Sequence, residues 1–361
     1  MLPKSNIRNL FRHFDRGSDR AKYIRLDKNE RTFALNSKYI KNILKKNYLD
    51  DLVTQYPDQN KLYEILSKRL KISKNQILLT PGSDAGIKYF FETYVKKNDK
   101  VGILNPTYQM INVYCKMYSA KVIQINYNYD LSLKNQIAKV IDKVDHLIIA
   151  NPNQPTGTYI APNELVKILK TTKKKNVSLF IDEAYIEFVK SSSIKWQNYI
   201  NKYTNVFIQR TFSKFFGLAG LRLGYILSNE ENIFNINKVK PLSDINLFSI
   251  LLAIEILKDK KYLLYKKELI KSFKYFSERI NKIKEVKIIK SHTNFFHIKF
   301  NSGNQAKKFL DLAKKNNILC RETNYLQETI LKNSVRVSTG NKNQMKILSN
   351  LIFKTFDEKN N

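Results

Sequence analysis

The sequence predicts an α/β protein, with a mostly parallel seven-stranded sheet in a large domain and a smaller α+β domain. From about residue 75 onward, short apolar runs alternate with helical stretches, which is typical of an α/β sheet. Runs such as LIIA (147–150) and LFI (179–181) are apolar throughout, as expected of strands buried on both faces. After about residue 240 the pattern changes to long helices followed by mixed strands and helices.

The large domain is predicted over residues 45–243. Its helices are expected between several strands, for example at 84–95 and 162–171. The seven predicted strands are 76–80, 100–104, 121–126, 146–150, 178–181, 205–210 and 224–227.

The small domain is predicted from residues 1–44 and 244–361, because the first forty or so residues have no partner of their own. Two long helices are expected first, at 244–257 and 262–283. The remaining elements are strands at 286–289, 295–300, 318–322 and 334–338, a helix at 304–315, and a last helix from Lys342.

Composition indicates a globular protein: the chain has 361 residues, of which 43% are hydrophobic and 12% aromatic. Two cysteines, Cys115 and Cys320, cannot form a disulfide framework. The amino terminus has no apolar core of a signal peptide, and no run of about 18 apolar residues occurs. We therefore expect a cytoplasmic protein that does not bind membranes.

The net charge is +33, from 64 Lys and Arg against 31 Asp and Glu. Such an excess raises the alternative of nucleic-acid binding. However, the lysines form short clusters along the chain, for example at 173–175, and no binding module is recognisable. A solvated basic surface, which also attracts anionic substrates, is the favoured interpretation, and no nucleic-acid partner is expected.

Lys214 is the principal candidate for a nucleophile. It follows a predicted strand within RTFSKFFGLAGLRLGY (210–225), where small residues allow another group to approach closely. Desolvation lowers a lysine pKa toward the neutral amine that Schiff-base chemistry requires. Ser213 and Arg222 suit a phosphate. An isolated basic loop is the alternative, but it does not explain the clustered glycines.

Asp182 closes an apolar strand within LFIDEAYIEF (179–188), at the position where ligand sites form in open α/β sheets. A carboxylate there needs a partner, and a protonated pyridine nitrogen is suitable. Tyr185 can donate a hydrogen bond into the same cleft. The alternative for Asp182 alone is a helix cap.

Three further segments follow predicted strands. In NPNQPTG (151–157), Asn153 or Gln154 can present an amide to the cleft. In TPGSDAGI (80–87), the backbone N–H groups of Ser83 and Asp84 open a helix and can bind a phosphate. In NPTYQM (105–110), Tyr108 can stack on an aromatic ring. All these groups converge on the carboxyl ends of the strands.

With these motifs the sequence resembles the fold-type I pyridoxal-5′-phosphate (PLP) aminotransferases, and within them the histidinol-phosphate aminotransferase-like group. The resemblance covers nearly the whole chain, from LDKNE (26–30) through YPDQNKLYEIL (56–66) to SVRVSTG (334–340). The motifs DEAYIEF and RTFSK-x-x-GLAGLR are specific, in order and correctly spaced.

The resemblance implies PLP as the cofactor and a role for each motif. Lys214 would carry the cofactor covalently and then act as general acid and base, while Asp182 would keep the pyridine nitrogen protonated. Tyr185 would hydrogen-bond the ring hydroxyl, and Tyr108 would stack on the ring. The cofactor phosphate would be bound by Ser83, Asp84, Ser213 and Arg222.

It also implies a homodimer, in which Tyr56 reaches the phosphate in the partner's active site. Arg336 would bind the carboxylate of the amino donor, and Arg321 would contact a substrate phosphate. Asn29 would border the active site, and His13 stands where the group has a tyrosine that contacts substrate. The group has asparagine at the position of Gln154, so either Gln154 or Asn153 is expected to make that contact.

The function implied is transfer of an amino group between L-glutamate and a small phosphorylated carbonyl compound. Candidates are histidinol phosphate with imidazole acetol phosphate, or a three-carbon keto phosphate such as dihydroxyacetone phosphate. The alternative is a PLP-dependent decarboxylase of phosphoserine or phosphothreonine. No metal site is expected, because four scattered histidines and two cysteines make no ligand set.

Overall fold

The structure is a computed structural model of the chain. It describes residues 2–8, 10, 19–46, 48–189, 193–323, 326 and 328–356. The strands are β1 Ile24–Arg25, β2 Ile77–Thr80, β3 Lys100–Asn105, β4 Lys121–Asn126, β5 His146–Ala150, β6 Ser178–Asp182, β7 Val206–Thr211, β8 Gly224–Leu227, β9 Val286–Ile289, β10 Phe295–Phe300, β11 Ile318–Leu319, β12 Arg321–Glu322 and β13 Ser334–Ser338. The helices are α1 Ser5–Arg8, α2 Lys38–Leu44, α3 Leu49–Val53, α4 Asn60–Leu70, α5 Gly82–Tyr94, α6 Gln109–Met117, α7 Ala138–Ile141, α8 Pro162–Lys174, α9 Glu230–Asn237, α10 Leu247–Lys258, α11 Leu263–Ile280, α12 Gly303–Lys315 and α13 Lys342–Phe356.

Seven strands form the large sheet, in the order β2-β8-β7-β6-β5-β3-β4. Only β8 runs opposite to its neighbours, and the other adjacent pairs from β7 to β4 are parallel. This confirms the predicted α/β class and the mostly parallel seven-stranded sheet. The parallel strands β3, β5, β6 and β7 end at the same edge, which is where a ligand cleft is expected.

Helices cover both faces of the large sheet. Buried residues of α4, α8 and α10 pack on one face, and those of α5, α6 and α9 on the other. Along β5, Leu147 and Ile149 join the first group and Ile148 the second, since successive side chains point to opposite faces. Burial on both faces explains why these strands are apolar throughout.

A second sheet has the order β12-β13-β10-β9 and is antiparallel throughout. Its apolar face packs against α11, α12 and α13, with Phe276, Phe309 and Leu348 fully buried between them. The prediction of a single strand at 318–322 is wrong, because the structure has two short strands there, separated by Cys320. β11 pairs with β1, whereas β12 pairs with β13.

Helix α10 begins at Leu247, three residues later than predicted, because the Asn246 side chain caps it by accepting a hydrogen bond from the backbone N–H of Ser249. Buried residues of both α2 and α10 lie in the core beside the large sheet. The division into residues 45–243 and residues 1–44 with 244–361 stays a prediction, and this packing brings parts of both segments to the large sheet.

Over the described ranges, no helix has the length and apolar character needed to cross a membrane. Within the same ranges, no group of three His, Cys, Asp or Glu side chains is placed to hold a metal ion. Cys115 and Cys320 are both free thiols.

Candidate active site

A cleft opens at the edge where the parallel strands end. The side chains that line it come from the segments after β2, β3, β5, β6 and β7, as the sequence predicts. They are Ser83, Asp84, Tyr108, Ala150, Pro152, Gln154, Asp182, Ala184, Tyr185, Thr211, Ser213, Lys214 and Arg222. Nine of the candidate residues from the sequence are therefore brought together in this cleft.

Lys214 lies three residues after the end of β7. Its Nζ donates a hydrogen bond to the backbone carbonyl of Lys28 at 3.0 Å and lies 5.7 Å from the centre of the Tyr185 ring. The following turn needs glycine at 217, because φ is +75° there and a Cβ would lie 2.6 Å from Cδ of Arg31. Among the described residues, the amine is thus held at the cleft by a neutral carbonyl acceptor.

Asp182 is the last residue of β6 and is buried, with 5% of its surface exposed. Its Oδ1 accepts a hydrogen bond from the backbone N–H of Ala184 at 3.0 Å. Burial raises the pKa of Asp182 to about 7, and the N–H of Ala184 and the nearby Lys214 oppose that rise. A carboxylate in this position is stabilised by a cation placed against it.

A buried ion pair supports the end of β6. Glu183 Oε2 accepts hydrogen bonds from Nε and Nη2 of Arg210, both at 2.8 Å, and its Oε1 accepts from Nε1 of Trp196 at 3.0 Å. We did not single out Glu183 or Arg210 from the sequence. The sequence signal that could have identified this ion pair was a second carboxylate directly after Asp182 together with an arginine near the end of the next strand.

The amino-terminal end of α5 and the Arg222 guanidinium lie side by side. Gly82 opens the helix with φ +80°, and a Cβ there would lie 2.7 Å from Nη2 of Arg222. At Gly224 a Cβ would meet the backbone N of Ser83 at 3.0 Å. Nη1 of Arg222 also donates to Oγ of Ser213 at 3.4 Å. The two glycines let a guanidinium and free helix N–H groups converge, which is an anion site of the predicted kind.

Tyr185 and Asn29 are joined by a hydrogen bond, in which Nδ2 of Asn29 donates to the tyrosine OH at 3.0 Å. Asn29 is buried, with φ 55°, and its backbone N–H donates to Oγ of Ser338. This contact ties the amino-terminal segment to the cleft. Tyr108 also lines the cleft, and burial raises the pKa of its phenol.

Arg336 and Arg321 are directly opposite each other on β13 and β12. Arg336 is buried and donates from Nη2 to the backbone carbonyl of Asp27 at 3.1 Å, while Arg321 is exposed. Residues directly opposite in an antiparallel pair share a face, and like charges there are unfavourable unless an anion lies between them. The pair therefore suits a negatively charged ligand.

Within the described residues, five other candidates do not line this cleft: Asn29, Asn153, Arg321, Arg336 and Tyr56. Tyr56 is 88% exposed and does not line it. His13 lies outside the described residues.

The chain matches the model of the family "Aminotransferase class I and II" over residues 21–352. It belongs to this family. Curated relatives include the histidinol-phosphate aminotransferase of Clostridium novyi (strain NT), 32% identical over 346 residues, with 92% of each chain covered. That of Buchnera aphidicola subsp. Cinara cedri (strain Cc) is 33% identical over 335 residues, covering 88% of this chain and 90% of the relative.

Solved structures agree. The histidinol-phosphate aminotransferase from Clostridium acetobutylicum superposes with a TM-score of 0.80 at 26% identity, covering 92% of this chain and 99% of the other. The histidinol-phosphate aminotransferase from Sinorhizobium meliloti, in complex with PLP, superposes with a TM-score of 0.85 at 22% identity, covering 98% of this chain and 96% of the other.

This aminotransferase is a PLP-dependent enzyme, and the cleft fits that cofactor. The anion site of α5 and Arg222 would take the phosphate, and the buried Asp182 carboxylate would take the protonated ring nitrogen. Lys214 lines the same cleft. The family resemblance inferred from the sequence is confirmed.

The structure separates the roles of Asn153 and Gln154. Asn153 is buried and donates from Nδ2 to Pro106 O and Thr156 Oγ1, both at 2.9 Å, while its Oδ1 accepts from Thr107 Oγ1 at 2.8 Å. Its side chain is thus fully engaged within the loops. Gln154 lines the cleft, so of the two amides it is the one placed to contact a ligand bound there.

Asn153→Ala is therefore expected to destabilise the protein by about 2–3 kcal/mol, because three buried hydrogen bonds are lost. Gln154→Ala is expected to change the free energy of unfolding by less than about 0.5 kcal/mol and to weaken PLP binding by about tenfold. Urea denaturation and fluorescence titration with PLP measure the two effects. If Asn153→Ala keeps full stability and loses PLP affinity instead, the assignment of the two amides is reversed.

Proposed function

We propose that this aminotransferase transfers an amino group between L-glutamate and imidazole acetol phosphate, with histidinol phosphate as the amino form of the second substrate. The observation that carries this proposal is the full-length similarity to relatives named histidinol-phosphate aminotransferase, at 32% identity with 92% of both chains covered. The paired arginines and the net charge of +33 support a phosphorylated substrate.

The bound PLP supplies an electron-accepting ring, and the residues of the chain do the rest. Lys214 holds and moves the proton that shifts between the substrate carbon and the cofactor. Asp182 keeps the ring nitrogen protonated, since its burial stabilises a carboxylate only beside a cation. Tyr185, oriented by Asn29, and Gln154 donate toward the ring hydroxyl, and Tyr108 stacks on the ring.

The two arginines divide the recognition of substrate anions between them. Arg336 is buried and binds the carboxylate of the amino donor, where desolvation strengthens a bidentate contact. Arg321 is exposed beside it and contacts the phosphate of the second substrate. One site thereby accepts a dicarboxylic amino acid and a phosphorylated compound in alternation.

We also propose that the protein is a homodimer. Tyr56 is 88% exposed, and large apolar side chains near it in sequence, on α10 and just before α10 are exposed too: Leu44 61%, Tyr48 54%, Val53 54%, Phe248 43% and Leu242 96%. A patch of this kind is typical of a protein interface. Burying it against a second copy would bring Tyr56 toward the partner's cofactor phosphate.

The test is spectroscopic. Purified protein with PLP is mixed with L-glutamate, and the absorption band of the lysine-bound cofactor is expected to be replaced by that of the amino form. Imidazole acetol phosphate is then expected to restore the original band faster than dihydroxyacetone phosphate. Carbon dioxide release from phosphothreonine or phosphoserine, with no response to glutamate, would instead support the decarboxylase.

A further inference from the structure

Three side chains form a row across the second sheet. Arg321 on β12 is opposite Arg336 on β13, and Arg336 is opposite His297 on β10. Directly opposite residues share one face of a sheet, so the imidazole lies on the same face as both arginines. We did not single out His297 from the sequence.

His297 is fully buried, and both nitrogens of its ring are hydrogen-bonded. Nε2 lies 2.8 Å from the backbone carbonyl of Pro155, and Nδ1 lies 3.2 Å from Oγ of Ser334. Because a carbonyl only accepts, Nε2 carries the hydrogen, and Nδ1 accepts from the serine hydroxyl. The imidazole therefore links the second sheet to the 151–157 turn, which carries Gln154 into the cleft.

A second point of attachment lies at the end of the same turn. The backbone N–H of His292 donates to the carbonyl of Gly157 at 2.8 Å. A Cβ at Gly157 would lie 2.0 Å from Cβ of Ser291, so the two segments are in close contact. The turn is thus attached to the segment leading into β10 as well as to β10 itself.

We propose that His297 is a positioning residue, which fixes the distance between Arg336 and the turn that carries Gln154. In this way it aligns the carboxylate of the amino donor, bound by Arg336, with the cofactor ring that Gln154 contacts. The inference rests on the proposed function, because it takes Arg336 to be the carboxylate-binding residue. His297 itself touches neither substrate nor cofactor.

The chemistry of the imidazole suits this role. Burial lowers the pKa of His297 to about 3; the Pro155 carbonyl, which favours the protonated form, opposes this shift, and the charge of Arg336 contributes to it. A neutral ring holds the turn without placing a second positive charge beside Arg336. A lysine or arginine in its place would compete for the donor carboxylate.

The test compares four variants of the PLP-loaded enzyme in the half-reaction with L-glutamate. His297→Phe is expected to raise the half-saturating glutamate concentration about tenfold, with less than a threefold change in the saturating rate. The reason is that phenylalanine cannot donate to the Pro155 carbonyl, so the turn that carries Gln154 is no longer held at a fixed distance from Arg336. His297→Gln keeps a donor at comparable reach and is expected to stay within threefold of wild type. His297→Asn is too short and should resemble His297→Phe.

His146→Phe is the matched control. His146 is also buried and hydrogen-bonded through both ring nitrogens, from Nε2 to Oδ2 of Asp99 at 3.0 Å and from Nδ1 to Oγ of Ser178 at 2.5 Å. It lies at the opposite edge of the large sheet, where the parallel strand β5 begins. It should lose stability and keep the wild-type half-saturation within twofold.

Unchanged half-saturation in His297→Asn overturns the inference, as does a His297→Gln variant that binds PLP but behaves like His297→Asn. The comparison of glutamine with asparagine holds even when the phenylalanine variant does not fold. A wild-type enzyme that glutamate fails to convert would contradict the proposed function, whereas normal wild-type conversion with unaffected variants contradicts only the role of His297.

Discussion

Replacing Lys214 by alanine is expected to lower the transamination rate by about 10⁴-fold or more, because in the proposed mechanism this one side chain both carries the cofactor and moves the proton. The measurement is 2-oxoglutarate formation from glutamate with a phosphorylated acceptor. The protein should still fold, since among the described residues Lys214 donates to a neutral carbonyl and its side chain is not fully buried.

Lys266→Ala is the control for this variant. Nζ of Lys266 likewise donates to backbone carbonyls, those of Glu187 at 2.8 Å and Val189 at 2.9 Å, but outside the cleft. Its activity should stay within about threefold of wild type. After borohydride reduction, the cofactor should be found on the peptide that contains Lys214, and its recovery on any other lysine would remove the basis of the assignment.

Asp182→Asn is expected to lower the rate by about 10²- to 10³-fold, because an amide does not hold the ring nitrogen protonated. The same variant should bind PLP more weakly, which fluorescence titration measures. A variant that keeps wild-type rate and affinity would show that this carboxylate does not contact the ring.

The same substitution should change how the stability of the cofactor-free protein depends on pH. Burial raises the pKa of Asp182 from 3.8 to about 7, so the folded state binds a proton that the unfolded state releases. The contribution to stability is present below about pH 4 and is lost as pH rises through about 7. That loss amounts to about 4 kcal/mol at most. Urea denaturation at pH 5 and pH 8 should show a lower free energy of unfolding at pH 8 in wild type, and no such loss in Asp182→Asn.

Asp99→Asn provides a contrast, because the hydrogen bond from His146 and the N–H of Lys96 lower the pKa of Asp99, although partial burial opposes them. This carboxylate contributes stability above its ordinary pKa and loses it as pH falls. The variant should therefore lose stability at neutral pH and keep its PLP affinity. Similar pH profiles for the two aspartate variants would contradict the cause assigned to the Asp182 shift.

Several features of the fold and site could be predicted from the sequence. The strands at 146–150 and 224–227 were predicted at their observed bounds, because each is a short run of residues buried on both faces of the sheet, whether the strand is parallel (146–150) or antiparallel (224–227) to its neighbours. Lys214 and Asp182 stood out because each follows such a strand, and parallel strands bring the residues after them to one edge. The order of elements along the chain therefore indicated most of the cofactor cleft.

Other features depended on pairings between distant segments. The sequence left open whether Asn153 or Gln154 faces the cofactor. Only the structure shows that Asn153 is hydrogen-bonded to Thr107, Pro106 and Thr156 while Gln154 lines the cleft. The strand at 318–322 was predicted as continuous, because its division depends on two different partners, β1 and β13.

The sequence alone thus determined the class of fold, the cofactor and nine of the residues that line the cleft, because these follow from strand periodicity and from motifs that lie within single segments. The tertiary structure alone placed Arg336 beside Arg321 and connected His297 to Pro155, 142 positions away along the chain. The periodicity of apolar residues indicates which face of a strand is buried. It does not record which polar side chain meets which across two sheets, since that is set by how the separate elements pack.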